Sequence, residues 1–261
     1  MDQEQSAGPG ARIECASRSD IGRVRSRNED VAEVDALRRW AILSDGMGGY
    51  RGGDVAARIS VDTVREKLEQ TYRPGWAIET VKETLIAAAR EANREVFRVS
   101  QTTPGLAGMG STLVAVVFLE GSLVVAHVGD SRLYRKRDGR LEQLTRDHTV
   151  LQEQLDDGMI SIDDPRVASM RGLLTRGIGV SYALTPDLGL HQVLPGDVFV
   201  LCSDGLTDML DDDDIATLID DDRRIEDIAD RLVAAANLHG GRDNVSVIVA
   251  RLVVSSAGDA D

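Results

Sequence analysis

The 261-residue sequence predicts an α+β fold, with paired helices segregated from antiparallel strands. Three observations carry this reading. Two amphipathic helical stretches follow one another with no strand between them. Leu113–Leu119 is an almost unbroken apolar run, as expected for a strand covered on both faces. Gly121-Ser122 and Asp138-Gly139 are turn pairs between apolar segments, so the strands they join run antiparallel.

Taken in order, residues 1–10 are polar and read as a tail, as do residues 255–261. No linker or repeat interrupts 11–254, which reads as one domain. Short strands are expected at 13–16 and 40–43. A helix is expected over 53–68, where Val55, Ala56, Ile59, Val64 and Leu68 recur at helical spacing. A second is expected over 76–99, with Ile78, Val81, Leu85, Ala88, Ala89, Ala92 and Val96 on one stripe. After a glycine break at 105–110 come strands at 113–119, 123–128, 133–135 and 141–144. Residues 149–179 are polar and weakly periodic, with Asp157-Gly158 and Asp163-Asp164-Pro165, and read as a mobile surface segment holding one short helix. Strands resume at 188–193 and 198–202. Helices at 215–219 and 225–238 and a strand at 245–254 complete the chain.

Composition narrows the function. Hydrophobic residues make up 42% of the chain but aromatics only 3%, so the core must be aliphatic. A net charge of -14 argues against nucleic acid or an anionic membrane surface as partner, since both would repel it. Cys15 and Cys202 form neither a disulfide framework nor a metal-spacing motif. No apolar run reaches the about 18 residues of a membrane span, so no membrane insertion is expected. The N-terminus lacks the basic and apolar regions of a signal peptide, and the expected location is the cytoplasm.

The chemistry lies in four aspartates in turn-rich contexts. Asp45 follows an apolar run and precedes Gly46-Met47-Gly48-Gly49; Asp204 stands in a second Ser-Asp-Gly triplet after 198–202. Asp130 follows 124–128 through one glycine, and Asp243 with Asn244 precedes the last strand. Each alone reads as a turn or cap residue. Carboxylates that converge from strand ends repel one another unless a cation neutralises them, so the set points to a metal site. With only oxygen donors placed for it, Mg²⁺ or Mn²⁺ is the matching ion. A dinucleotide loop is excluded because its third glycine would fall on Arg51. Upstream, Arg25 lies in a small basic island before Asn28-Glu29-Asp30, and a planar guanidinium suits a phosphate dianion. The Asp211–Asp214 run reads as a helix cap rather than a metal site. His148 reads as structural, and no Ser-His-Asp order supports a covalent nucleophile.

Several of these elements in one order resemble the metal-dependent PPM (PP2C-type) serine/threonine protein phosphatases, most of all the bacterial single-domain members. The resemblance runs from Ile13 to Val254. It is carried by Arg25 with Asn28-Glu29-Asp30, Asp45-Gly46-Met47-Gly48-Gly49, Gly110-Ser111-Thr112, Gly129-Asp130-Ser131-Arg132, Leu144-Thr145-Arg146-Asp147-His148, Ser203-Asp204-Gly205-Leu206 and Asp243-Asn244. It implies two stacked antiparallel β-sheets flanked by pairs of α-helices. It also implies two Mn²⁺ or Mg²⁺ ions held by Asp45, the Gly46 carbonyl, Asp204 and Asp243, and a weaker third ion at Asp130 and Asp204. Arg25 would hold the substrate phosphate, while Glu29, Asp30 and Asn244 would support the ligands from behind. The implied reaction is hydrolysis of phosphoserine and phosphothreonine by water bridging the two ions. Phosphorylated proteins would be the substrates, and a bacterial Hanks-type serine/threonine kinase the opposing enzyme. Segment 149–179 would be the flap beside the cleft. Met47 stands where some members carry a histidine proposed as the general acid, so the proton donor here must be another group. A catalytically silent phosphoprotein-binding module and a small-molecule phosphohydrolase are the alternatives.

Overall fold

The computed structural model describes residues 11–48, 52–220 and 223–254; the two expected tails and Gly49 lie outside the described residues. Two antiparallel sheets stack face to face. The first has strand order β1 (Ala11–Asp20), β11 (Val245–Val254), β10 (Val198–Cys202), β7 (Arg132–Arg137) and β8 (Arg140–Gln143). The second has order β2 (Asp30–Asp35), β3 (Trp40–Met47), β5 (Leu113–Leu119), β6 (Ser122–Val128) and β9 (Asp187–Gln192), with the short β4 (Gly110–Ser111) pairing on β3.

Alternating side chains explain the layering. Leu43, Val114, Val116 and Phe118 of the second sheet meet Leu133, Phe199, Leu201, Ile248 and Ala250 of the first in the central core. The opposite faces of the same strands carry Ile42, Ala115, Val117, Val124 and Ala126, which pack under α1 (Gly53–Thr71) and α2 (Ile78–Thr102). Val198, Val200, Val247 and Val249 likewise pack under α6 (Asp212–Leu218) and α7 (Ile225–Leu238). Both faces of the central strands are therefore covered, which is why they read as continuous apolar runs rather than alternating ones. The small aromatic content is concentrated: Phe118 and Phe199 meet edge to face across the core at 5.4 Å.

Three expectations change. Strand β2 was not expected; it is a short edge strand whose Glu33 and Asp35 hide the apolar signal of Val31. Helix α6 begins at Asp212 rather than 215, because Asp211 caps it through a hydrogen bond from the Asp214 amide at 2.8 Å. Segment 149–179 is not simply a surface excursion. It forms α3 (Val150–Asp156) and α4 (Val167–Met170), and its returning end is built into the body of the fold. Ile178 is fully buried and exchanges both backbone hydrogen bonds with Ser111, at 2.8 and 3.0 Å, while Thr149 bridges Leu174. A buried isoleucine with a satisfied backbone ties the segment down.

Candidate metal centre

Antiparallel pairing brings the acidic residues to one end of the sandwich. Leu43 of β3 pairs Val114 near the start of β5, whose Leu113 pairs Val128 at the end of β6. The loops carrying Asp45 and Asp130 are thereby neighbours. In the other sheet Cys202, at the end of β10, pairs Val247 near the start of β11, so Asp204 and Asp243 flank the same edge. Asp30, at the start of β2, pairs Asp45 directly. A hydrogen bond from Ser203 Oγ to Asp30 Oδ2 at 2.8 Å joins the two sheets at this point.

Each ligand loop is held by neutral polar groups. Thr112 accepts the Asp45 amide at its Oγ1 (2.9 Å), donates its own amide to the Asp45 carbonyl (2.8 Å) and shares a hydrogen bond with Ser131 (2.7 Å). Two distant loops are thus fixed through one threonine. The Gly46 amide donates to the Glu29 carbonyl at 3.2 Å, and a Cβ on Gly46 would lie only 2.0 Å from the Gly53 carbonyl oxygen. Only glycine lets α1 begin this close to the strand end. Asn244 is buried and fully used: its Oδ1 accepts the Glu29 amide (2.9 Å), and its Nδ2 donates to the carbonyls of Ile21 (3.0 Å) and Arg27 (2.7 Å). It pins the loop that presents Arg25 and Glu29.

The electrostatics are those of a site built around a cation. Burial pushes the Asp45 carboxyl well above the usual range, and Asp30, Asp204 and Asp130 push it further. Asp204 is raised in the same way, by burial and then by Asp130, Asp243 and Asp208. Burial lifts Asp30 and Asp130 to about 6 each. Asp204 Oδ1 and Asp30 Oδ1 are buried without a hydrogen-bond partner. Orphaned carboxylate oxygens among like charges would be strongly unfavourable unless a cation supplies their missing partner. Among the described residues no three His, Cys, Asp or Glu side chains close into a finished cage. An open cluster is what a hard divalent ion takes, since it keeps several waters and accepts carbonyl oxygen. The donors present fit Mg²⁺ or Mn²⁺.

These groups line a cleft of about 680 Å³, together with Met47, Arg171 and Asp208. The structure places every expected site residue here: Arg25, Glu29, Asp45, Gly46, Asp130, Asp204, Asp243 and Asn244 line it, and Asp30 lies behind Asp45. Arg25 reaches over the rim and donates to Asp243 Oδ2 at 2.6 Å, so its guanidinium rests on a carboxylate of the cluster. Asp208 and Arg171 were missed. Asp208 follows Asp204 by one turn in α5 (Asp204–Thr207) and its cap, a spacing visible as Asp-x-x-x-Asp. Arg171 comes from segment 149–179 and had no signal. Met47 offers no proton, as expected. The Gly129 amide donates to His148 Nδ1 at 3.1 Å, which makes that histidine a support of the Asp130 turn.

Residues 23–239 match the family model described as "Protein phosphatase 2C". The chain is 34% identical over 244 residues to the serine/threonine phosphatase stp of Listeria monocytogenes serotype 4b, covering 92% of this chain and 96% of that protein. It is 36% identical over 241 residues to the Mycobacterium tuberculosis serine/threonine protein phosphatase PstP, covering 91% of this chain and 45% of that longer protein. Among solved structures, the PstP catalytic domain in complex with two manganese ions superposes with a TM-score of 0.81 at 35% identity, over 94% of this chain and all of that one. Stp1 from Staphylococcus aureus superposes with a TM-score of 0.87 at 28% identity, over 97% of this chain and all of that one.

Proposed function

This chain belongs to the protein phosphatase 2C family, and from that membership we infer how its own residues carry out Mn²⁺- or Mg²⁺-dependent hydrolysis of phosphoserine and phosphothreonine in proteins. The single observation that carries the assignment is the packing of Asp45, Asp204, Asp130 and Asp30 into one partly buried cluster with unpartnered oxygens. Asp45, the Gly46 carbonyl, Asp204 and Asp243 would hold two ions, and Asp130 with Asp204 a third. Bound there, the metal pair supplies an activated water at neutral pH and withdraws charge from the phosphoryl oxygens.

The chain's part is to place and to neutralise. Arg25 swings between the Asp243 carboxylate and the substrate phosphate, to which its fork can donate two parallel hydrogen bonds. Asn244 and the Glu29 carbonyl keep that loop in register with Gly46. Asp30, held by Ser203, buttresses Asp45. The leaving alkoxide takes its proton from water, since Met47 has none to give. The unit that does this spans 11–254, with 149–179 as the flap over the cleft. Phosphorylated proteins are the substrates, and a serine/threonine kinase acting on them is the opposing enzyme. No helix among the described residues is long and apolar enough to cross a membrane.

Asp204→Asn is the decisive test. It should lower Mn²⁺-dependent hydrolysis of p-nitrophenyl phosphate and of a phosphothreonine peptide by more than the about 10–100-fold typical of losing an outer support. Calorimetry should show at least one Mn²⁺ fewer bound, with the circular dichroism spectrum unchanged. Wild-type activity and ion count in this variant would reject the assignment.

A further inference from the structure

Beside the catalytic cleft, on the side of α2, lies a surface the reaction itself does not use. Met47 lines the cleft, and Val180 stands next to it: an ideal Cβ on Gly177 would be 2.6 Å from Met47 Cε and 2.9 Å from Val180 Cγ2. Val180 is 58% exposed, and Tyr182, two residues on, is 72% exposed. Large apolar side chains at such exposure are not held there by the core. They are held by Asn93. This asparagine is 1% exposed, accepts the Gly179 amide at Oδ1 (2.7 Å) and donates Nδ2 to the carbonyls of Ser181 (2.9 Å) and Tyr182 (3.1 Å). The Tyr182 ring is braced edge-on by Phe97 at 6.0 Å.

Past Tyr182 the surface dips into a groove of about 360 Å³ between the 182–185 segment and α2, lined by Arg90 and Arg94. One helical turn apart, these arginines share a face of α2. Arg90 donates to the Leu184 carbonyl at 3.4 Å, and neither arginine has a carboxylate partner among the described residues. In a chain with 44 acidic and 30 basic residues, these two adjacent guanidiniums make a local cationic surface beside the apolar ridge.

We propose that this ridge and groove form the docking track for the polypeptide flanking the phosphorylated residue. The ridge of Val180 and Tyr182 takes an apolar side chain, and Arg90 and Arg94 take acidic side chains beyond it. Continuity with the cleft selects this occupant. A substrate whose phosphate lies over the metal centre must send its backbone across the rim, and on this side the rim at Met47 runs directly into Val180. Charge complementarity selects the acidic part: Arg90 and Arg94 offer two adjacent cations with no carboxylate partner among the described residues. The proposal rests on the phosphatase reading above and adds substrate selection to it.

The test compares two fluorescein-labelled phosphothreonine peptides, one with Leu and Glu on both sides of the phosphoresidue and one with Ala and Lys. Wild-type protein with Mn²⁺ should dephosphorylate the first with about tenfold higher kcat/KM, the scale of one well-made side-chain contact. Tyr182→Ala should lose most of that preference. Arg90→Glu with Arg94→Glu should reverse its charge component. Turnover of p-nitrophenyl phosphate, which is too small to reach the track, should stay at the wild-type value in all variants. Equal kcat/KM for both peptides in the wild type, or a preference that survives both sets of substitutions, overturns the proposal. Because p-nitrophenyl phosphate reads the metal centre separately, failure of that centre and failure of the track give different results.

Discussion

Arg25 has two partners to choose from. Its salt bridge to Asp243 is half-exposed on the arginine side, and a pair of that kind contributes only about 0–1 kcal/mol to stability. The residue is therefore cheap to release and well placed to take up a phosphate. Arg25→Ala should raise KM for phosphopeptides with a smaller change in kcat and little change in melting temperature; an unaltered KM would remove it from the phosphate site. Asn244 differs in kind. It is buried with three hydrogen bonds, and its removal strands the Glu29 amide and the Ile21 and Arg27 carbonyls. Asn244→Ala should cost about 1–3 kcal/mol in denaturant unfolding and also lower activity, since the Arg25 loop loses its anchor.

Where elements meet, backbone approach sets the site. Helical turn α5 starts at Asp204, and the next residue, Gly205, lies against the β11 lead-in: a Cβ there would fall 1.9 Å from the Asn244 carbonyl oxygen. Gly205→Ala must push the Asp204 turn away from the Asp243-Asn244 loop. The expected result is a loss of about 1–3 kcal/mol from overpacking and a weaker Mn²⁺ titration, read by calorimetry. A variant that binds Mn²⁺ like the wild type would show that the two loops need not be so close. The two Ser-Asp-Gly triplets thus share one design. In each, the aspartate faces the cleft and the following glycine admits a neighbouring backbone, that of Gly53 in one case and Asn244 in the other.

Across the whole molecule the acidic cluster makes stability depend on pH and metal together. Asp30 and Asp130 rise from about 3.8 to about 6, and burial with neighbouring carboxylates also raises Asp45 and Asp204 well above their ordinary value. Raised carboxyl pKa values mean that the folded state holds protons more tightly than the unfolded one. Their linkage contribution is favourable at low pH and is lost as pH rises from near 4 through the raised folded values, about 6 for Asp30 and Asp130. Metal-stripped protein should therefore melt at a lower temperature at pH 7.5 than at pH 5.5, and Mn²⁺ should raise that temperature more at pH 7.5. Equal Mn²⁺ stabilisation at both values would contradict the clustering. Asp204→Asn, which removes one of the repelling charges, should make the metal-free protein more stable at pH 7.5 while reducing its stabilisation by Mn²⁺.

What the amino-acid sequence determined by itself was the order of elements, the aliphatic layers and the identity of the four aspartates, because periodicity and glycine-flanked strand ends are local properties. The edge strand β2 escaped because Glu33 and Asp35, on the same face as Val31, break its apolar pattern; Glu33 is paired there by Arg58 and Arg65 of α1. Tertiary structure alone decided the rest. It brought Asp45 and Asp130 together through the β3–β5–β6 register and Asp204 and Asp243 through β10 and β11. It enlisted Thr112, Asp208 and Arg171, and it anchored segment 149–179 through Ile178. Convergence of this kind depends on strand register and sheet stacking, and these are set by contacts between residues far apart in the chain. Such contacts leave no mark within any one segment.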